Sequence, residues 1–123
     1  MELKVQSNGH DYVGISYVSD VPFILIDLLC MNSIDDDVKQ GSEWVEAGAT
    51  LSKVYYNIAN KSRTYGFSAG ICPTVGVGGH IGGGDFGTMV RKYGLVANNV
   101  VDALIVNADG ETLNKTSMGD DLF

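Results

Sequence analysis

Apolar residues recur at helical spacing in one stretch of the chain and in a shorter second one. Between 51 and 59 the apolar positions fall on one face of a helix, and Thr50 just before them offers an N-terminal cap. A second short helix is predicted over 88–93 and ends at Gly94, because glycine is the residue that most often follows a helix C-terminus. The pattern therefore predicts one well-defined helix and one short helix.

Five apolar-rich or alternating runs, each bounded by turn residues, predict short strands. They are 4–7, 23–28, 43–47, 100–106 and 111–113. The last two flank 107–110, where Asp109 and Gly110 form a pair suited to a tight hairpin turn. Several short strands with one or two helices indicate an α+β fold, and no linker or internal repeat divides residues 1–123.

The charge balance narrows the range of partners. With 8 lysine and arginine residues against 15 aspartate and glutamate residues, the chain carries a formal charge of -7. This charge repels phosphate backbones and anionic headgroups, and the sequence shows no basic patch, so nucleic acid is not an expected partner. No window approaches the roughly 20 apolar residues that a bilayer-spanning helix needs, so no membrane span is expected.

Glycine is concentrated between 70 and 87, around Cys72 and His80. Such a run costs conformational entropy when it is ordered, so it predicts a loop, and not a helix or strand, in which bare backbone approaches a ligand. A flat or phosphorylated cofactor is the natural ligand for such a loop. A second bend rich in small residues, 5–14, carries the other histidine, His10. Neither segment opens a long helix directly after a strand, which argues against a nicotinamide site of the Rossmann type.

The two cysteines allow a disulfide, but we expect them to be unpaired. Cys30 follows the apolar run 23–29 and is most simply a small buried hydrophobic residue. Cys72 lies instead in the glycine-rich segment, ahead of a proline. A disulfide between Cys30 and Cys72 is the alternative that the spacing leaves open.

The segments 5–14 and 70–87 resemble the paired signatures of berberine bridge enzyme-like oxidases. These oxidases are flavoproteins of the vanillyl-alcohol oxidase, or p-cresol methylhydroxylase, superfamily. The stretches 44–51, 91–95 and 117–123 are also similar to that family, so the resemblance covers essentially the whole chain.

The resemblance implies the fold, the cofactor and the reaction. Residues 1–123 would form part of a p-cresol methylhydroxylase-type FAD-binding domain, with the substrate domain and the C-terminal segment absent. In a complete enzyme, a hydride would pass from an alcohol-type carbon of a small-molecule substrate to flavin N5, and oxygen would reoxidise the flavin. This chain alone is expected to expose apolar surface and not to turn over substrate. The family is typically secreted or in the cell wall, yet the chain starts without a signal-type apolar stretch, so its location stays open.

The resemblance also carries residue roles onto this chain. In the family, a histidine nitrogen bonds the 8-methyl carbon of the flavin and a cysteine sulfur bonds C6; by motif these are His10 and Cys72. His80 resembles the histidine that hydrogen-bonds the ribityl and N1–C2 carbonyl side of the flavin. Val75 stands where a valine leaves oxygen access to flavin C4a, which favours an oxidase over a dehydrogenase. The other residues that the resemblance places at the cofactor are Ser7, Asn8, Gly9, Asp11, Tyr12, Thr74, Gly76, Gly79, Gly82 and Gly83.

The chemistry of these residue types fits the roles, although plainer interpretations stay open. An imidazole and a thiolate are nucleophiles that are accessible near neutral pH, and a turn at 7–9 would point backbone N–H groups at a pyrophosphate without any basic side chain. The plainer interpretations are His10 as a turn residue bonded to nearby backbone, His80 as a solvated loop imidazole and Val75 as a core valine. The second functional hypothesis is a non-catalytic remnant with weak or no flavin binding.

Four positions depart from the family pattern. Gln6, Asn8 and Val13 stand where the family usually has arginine, glycine and glutamate, and Asp85 stands where a further glycine is common. Gln6 lacks a charge that could balance phosphate, and Asp85 adds a negative charge near an anionic cofactor. Both changes are expected to weaken FAD binding.

Overall fold

Short strands pair in twos in residues 1–37 and 39–118, the part of the chain that the computed structural model describes. The parallel pair is β1 (Glu2–Gln6) with β2 (Phe23–Asp27), and the antiparallel pairs are β3 (Ile34–Asp37) with β4 (Ser42–Val45) and β5 (Ile105–Val106) with β6 (Thr112–Leu113). The helices are α1 (Leu51–Lys61), α2 (Val77–Gly82), α3 (Val90–Tyr93) and α4 (Lys115–Met118), with a 3₁₀ turn at Ala97–Asn99. The α+β class predicted from the sequence is confirmed.

Helix α1 forms where the apolar spacing predicts it. Thr50 Oγ1 accepts a hydrogen bond from the Lys53 backbone N–H at 3.4 Å, which is the capping contact expected at a helix N-terminus. The first residue of the helix, Leu51, is buried in the core. The second helix, predicted over 88–93, is present as the shorter α3, which ends at Gly94 with a φ of 77°.

The predicted hairpin is present but short. The Asn107 N–H donates to the Glu111 carbonyl at 3.0 Å, and Gly110 takes a φ of 80° in the turn. The predicted strand is wrong over 100–104, because this segment pairs with no strand in the described part of the chain. The Asp102 carboxylate instead accepts hydrogen bonds from the backbone N–H groups of Ala103 and of Lys115, the first residue of α4.

Strand β3 has no counterpart among the strands predicted from the sequence. Three of its four residues are aspartates, which are uncommon in strands, so the local pattern does not indicate it. It forms through its antiparallel pairing with β4. The connecting turn is closed by a hydrogen bond of 2.9 Å from the Gly41 N–H to the Asp37 carbonyl.

Helix α2 lies inside the glycine-rich run, where the sequence predicts only a loop. That prediction is wrong over Val77–Gly82. Tertiary contacts outweigh the poor helix propensity of glycine here: Val77 is buried in the core, and the Gly78 N–H donates to the Ala47 carbonyl at 3.1 Å. A Cβ atom at Gly78 would lie 3.0 Å from that carbonyl oxygen, so glycine allows the helix to approach closely.

A small core joins α1 and α2 to the segments around them. Its buried apolar residues are Ala49, Leu51, Val54, Ala69, Val77 and Val96. Much apolar surface lies outside this core, since Ile24, Leu25 and Ile26 on β2 are between 38% and 48% exposed. The exposed apolar surface expected from the sequence is therefore present. Within the described residues, every helix is too short or too polar to cross a bilayer.

Candidate functional site

The two small-residue bends of the sequence lie against each other in the fold. We call residues 7–10 the first bend and residues 72–76 the second bend. A Cβ atom at Gly76 would lie 2.1 Å from Ser7 Oγ and 2.2 Å from Asn8 Oδ1, so this contact requires glycine. Two segments that are far apart in the sequence are thus in direct contact.

The residues before α1 hold the first bend and the start of α2, which directly follows the second bend. Ser7 Oγ donates to the Ala47 carbonyl at 2.6 Å, and the Gly78 N–H donates to the same carbonyl at 3.1 Å. The Val77 N–H donates to the Ala49 carbonyl at 2.8 Å. Because Ala49 and Val77 belong to the core, the contact between the bends is supported by core packing.

His10 and Cys72 meet at one hydroxyl group. Thr74 Oγ1 lies 2.9 Å from His10 Nε2 and 3.8 Å from Cys72 Sγ. All three side chains are exposed, so the imidazole and the thiol are accessible at a shared position. The interpretation of His10 as a turn residue bonded to nearby backbone is wrong, because its imidazole contacts a residue 64 positions away.

Hydrogen bonds from Thr74 favour the thiolate of Cys72. The Thr74 backbone N–H and, after it, the Thr74 hydroxyl lower the pKa of the Cys72 thiol. Cys72 and Cys30 are both free, so the expectation of unpaired cysteines is confirmed. The prediction that Cys30 is buried is wrong, because it lies exposed just beyond β2, whose apolar residues are themselves largely at the surface.

His80 is buried on α2, with 5% of its surface exposed, and both of its ring nitrogens have partners within the chain. Nε2 accepts a hydrogen bond from the Gly70 N–H at 3.0 Å, and Nδ1 lies 2.5 Å from Asp85 Oδ2. The interpretation of His80 as a solvated loop imidazole is wrong, since the side chain is buried and belongs to helix α2. The Asp85 carboxylate faces this imidazole. From the sequence, Asp85 is predicted only to be an unfavourable negative charge near the cofactor. Sequence reasoning missed the pair because no spacing rule predicts it.

Asp11 is used within its own turn. Its Oδ1 accepts from the Val13 N–H at 3.0 Å, and its Oδ2 accepts from the Ser16 hydroxyl at 2.6 Å and from the Ser16 N–H at 2.9 Å. The Ser16 hydroxyl, followed by the two N–H groups, lowers the pKa of Asp11. Tyr12 beside it is fully exposed. These contacts shape the turn that follows the first bend.

Comparison with known proteins identifies the family. Residues 1–116 match the sequence model of an FAD binding domain. The chain belongs to this FAD-binding domain family. It is 53% identical over 121 residues both to berberine bridge enzyme-like 21 of Arabidopsis thaliana and to reticuline oxidase of Eschscholzia californica, covering 98% of this chain and 22% of each relative. The crystal structure of berberine bridge enzyme from Eschscholzia californica aligns with a TM-score of 0.93 at 53% identity, covering 97% of this chain and 24% of that one. The chain thus spans about a quarter of the length of these relatives, and the resemblance seen in the sequence is confirmed.

The FAD-binding domain offers bare backbone directly after the second bend. At Gly79 and Gly82, three residues apart on α2, a Cβ atom would meet nothing within 4 Å, so this side of the helix is open. The Gly83 N–H closes the helix by donating to the Gly79 carbonyl at 3.1 Å. Val75 is half-buried and packs against the core. An open glycine surface that follows two exposed nucleophilic side chains fits a flat ring such as that of FAD.

Thr74→Val in the FAD-binding domain is expected to make Cys72 a weaker nucleophile. The substitution removes the hydroxyl contact and keeps the backbone N–H, so the pKa of Cys72 should rise part of the way to its ordinary value. Less thiolate is then present at neutral pH, and alkylation by iodoacetamide should slow, with the midpoint of its pH profile displaced upward. Peptide mass spectrometry can follow Cys72 and use the exposed Cys30 as an internal reference. Thr74→Ser should restore the rate, and an unchanged profile in the valine variant would contradict this role.

Proposed function

We propose that this chain is the flavin-binding part of an FAD-dependent oxidoreductase that acts as an oxidase on a small-molecule substrate. The observation that carries the proposal is the Thr74 hydroxyl, which lies within 2.9 Å of His10 Nε2 and 3.8 Å of Cys72 Sγ. When bound, FAD would accept a hydride at N5 from an alcohol-type carbon and pass the electrons to oxygen. In this proposal the substrate is contacted by parts of the enzyme outside these residues.

His10 and Cys72 would attach FAD covalently, each through a bond that replaces a C–H bond of the flavin. Each attachment would release two protons and two electrons, the flavin itself would take up the electrons, and oxygen would reoxidise it. A neutral imidazole nitrogen and a thiolate are both nucleophilic near neutral pH, and Thr74 favours the thiolate. The two expected attachment points, the 8-methyl carbon and C6, belong to the same benzenoid ring. Because the imidazole and the thiol are exposed and share one hydroxyl contact, one ring edge can approach both.

Backbone N–H groups of the first bend would bind the pyrophosphate. Gly9 has a φ of 70°, and Ser7 and Asn8 form the bend that precedes it. Successive N–H groups in such a turn form a concave anion site without a basic side chain, which suits a chain of formal charge -7. The Gln6 amide lies 3.5 Å from the Asp27 carboxylate and supplies no positive charge to the phosphates.

The open side of α2 would lie along the flavin. Gly79 and Gly82 have no atoms within 4 Å of a built Cβ, so the backbone there is free for close approach of a ring. Val75, at the end of the second bend, would leave oxygen a path to flavin C4a. This part of the proposal explains why the helix uses glycine on a face that the core does not need.

Acid precipitation of the chain after expression with FAD tests the proposed function. Covalently attached flavin stays with the precipitated protein, so the pellet should be yellow, at about one flavin for each chain at saturation. Flavin that is only bound non-covalently remains in the supernatant. A colourless pellet would instead support the second hypothesis, a non-catalytic remnant that binds flavin weakly or not at all.

A further inference from the structure

The hydrogen bonds around His80 fix where its ring proton lies. A backbone N–H can only donate, so Nε2, which accepts from the Gly70 N–H at 3.0 Å, carries no proton. The proton of the neutral ring is therefore on Nδ1, which lies 2.5 Å from Asp85 Oδ2 and donates to that carboxylate. The His80 side chain is 4% exposed and the Asp85 side chain is 43% exposed, so the imidazole is buried while the carboxylate also reaches solvent.

Gly70 is held on both sides of its backbone. His80 accepts its N–H, and the Tyr55 hydroxyl donates to its carbonyl at 2.7 Å. A Cβ atom at Gly70 would lie 2.9 Å from His80 Cε1, so the imidazole approaches the bare backbone closely. Cys72 follows two residues later and begins the second bend. The position of the Gly70 peptide therefore limits where the thiol can lie.

The segment that carries Asp85 is itself fixed against this region. The Val96 N–H donates to the Asp85 carbonyl at 2.8 Å, and Val96 is part of the core. At Gly87, a Cβ atom would lie 1.8 Å from the Ala69 carbonyl oxygen. Asp85 is thus anchored to the core through Val96, and Gly87, two residues later, lies against the residue before Gly70.

We propose that Asp85 is a positioning residue for Cys72. Its carboxylate holds His80 in the form protonated at Nδ1, His80 then holds the Gly70 peptide, and the peptide sets the start of the bend that carries the thiol. The hydrogen bonds that join Asp85, His80 and Gly70 are present without FAD. Their effect on the attachment of FAD to Cys72 rests on the proposed function.

Nitrogen-15 NMR of the chain without FAD tests the first link. The native chain should show His80 protonated at Nδ1 and a slowly exchanging Gly70 amide. In Asp85→Ala, the Nδ1 form should lose its dominance, and the Gly70 amide should exchange about fivefold to tenfold faster, the factor that corresponds to the loss of one ordinary hydrogen bond. Asp109→Ala is the matched control, because Asp109 is exposed in the hairpin turn and should leave both signals unchanged.

Asp85→Asn keeps the proposal testable if the alanine variant does not fold. The asparagine carbonyl can still accept the Nδ1 proton, so the native tautomer and the Gly70 protection should be retained. The proposal would be overturned if Asp85→Ala kept the native His80 tautomer and the native exchange rate of the Gly70 amide. It would also be overturned if His80 were protonated at Nε2 in the native chain or in Asp85→Asn.

The effect on attachment is measured separately, after incubation with FAD. Asp85→Ala should lower the flavin bonded to the Cys72 peptide several-fold relative to that on the His10 peptide, and Asp85→Asn should restore it. Equal loss on both peptides would refute the positioning of Cys72. A native chain that takes up no FAD would refute the proposed function and leave the tautomer result standing, so the two failures are distinguishable.

Discussion

Replacing His10 and Cys72 together by alanine is expected to remove all covalently attached FAD from this FAD-binding domain. The two side chains share the Thr74 hydroxyl, at 2.9 Å and 3.8 Å, and are exposed where a ligand can reach them. Each is a competent nucleophile, so either single variant should retain one bond to the flavin. Intact mass spectrometry under denaturing conditions should therefore show one FAD mass on the native chain and on each single variant, and none on the double variant.

Cys30→Ala is the control for unspecific reaction of thiols with flavin. Cys30 is exposed and free like Cys72, but it lies outside the two bends. The Cys30 variant should carry the same adduct as the native chain. An adduct that persists in the double variant would remove the basis for assigning the site to these two residues.

Gly76→Ala is expected to lower the free energy of unfolding by about 1–3 kcal/mol, the usual cost of adding a carbon to a packed position. The new Cβ would lie 2.1 Å from Ser7 Oγ and 2.2 Å from Asn8 Oδ1. The first bend must then move away, and Ser7 loses its hydrogen bond to the Ala47 carbonyl. The amount of covalently attached FAD should decrease together with the stability, because the bends that carry His10 and Cys72 move apart. Urea unfolding and intact mass measure the two effects.

Gly79→Ala provides the contrast on the same helix. A Cβ atom at Gly79 would meet nothing within 4 Å, and alanine favours a helix over glycine by about 1 kcal/mol, so the chain without FAD should be as stable or more stable. Attachment of FAD should nevertheless decrease, because the open side of α2 is proposed to face the flavin. Two results would show that the packing of the bends is not as described. One is native stability of Gly76→Ala, and the other is an equal loss of stability in Gly76→Ala and Gly79→Ala.

Local signals predicted the parts of the fold that local interactions hold together. The helix after Thr50 combines an N-cap with one apolar face, and both features belong to consecutive residues. The turn at Gly110 similarly depends on a short sequence pair. The shared approach of His10 and Cys72 to the Thr74 hydroxyl is a different case, because only the family resemblance indicated that the two bends would meet.

The features that sequence reasoning missed depend on pairing and packing contacts that no local pattern of residue types indicates. Helix α2 forms in a glycine-rich run because Val77 is buried in the core and Gly78 bonds the Ala47 carbonyl. Strand β3 is rich in aspartate and exists through its pairing with β4. Asp85 contacts His80 because α2 places the imidazole where the chain after the helix passes it. No periodicity of the sequence contains this information.

Tandem mass spectrometry of the protease-digested chain, after incubation with FAD, examines the shared site itself. The contact between the bends predicts a species in which the peptide containing His10 and the peptide containing Cys72 are joined through a single FAD. Digestion should also yield no FAD on the peptide containing Cys30. Flavin confined to other residues, or the absence of any flavin-bearing peptide, would contradict the proposal that the two bends enclose one flavin site.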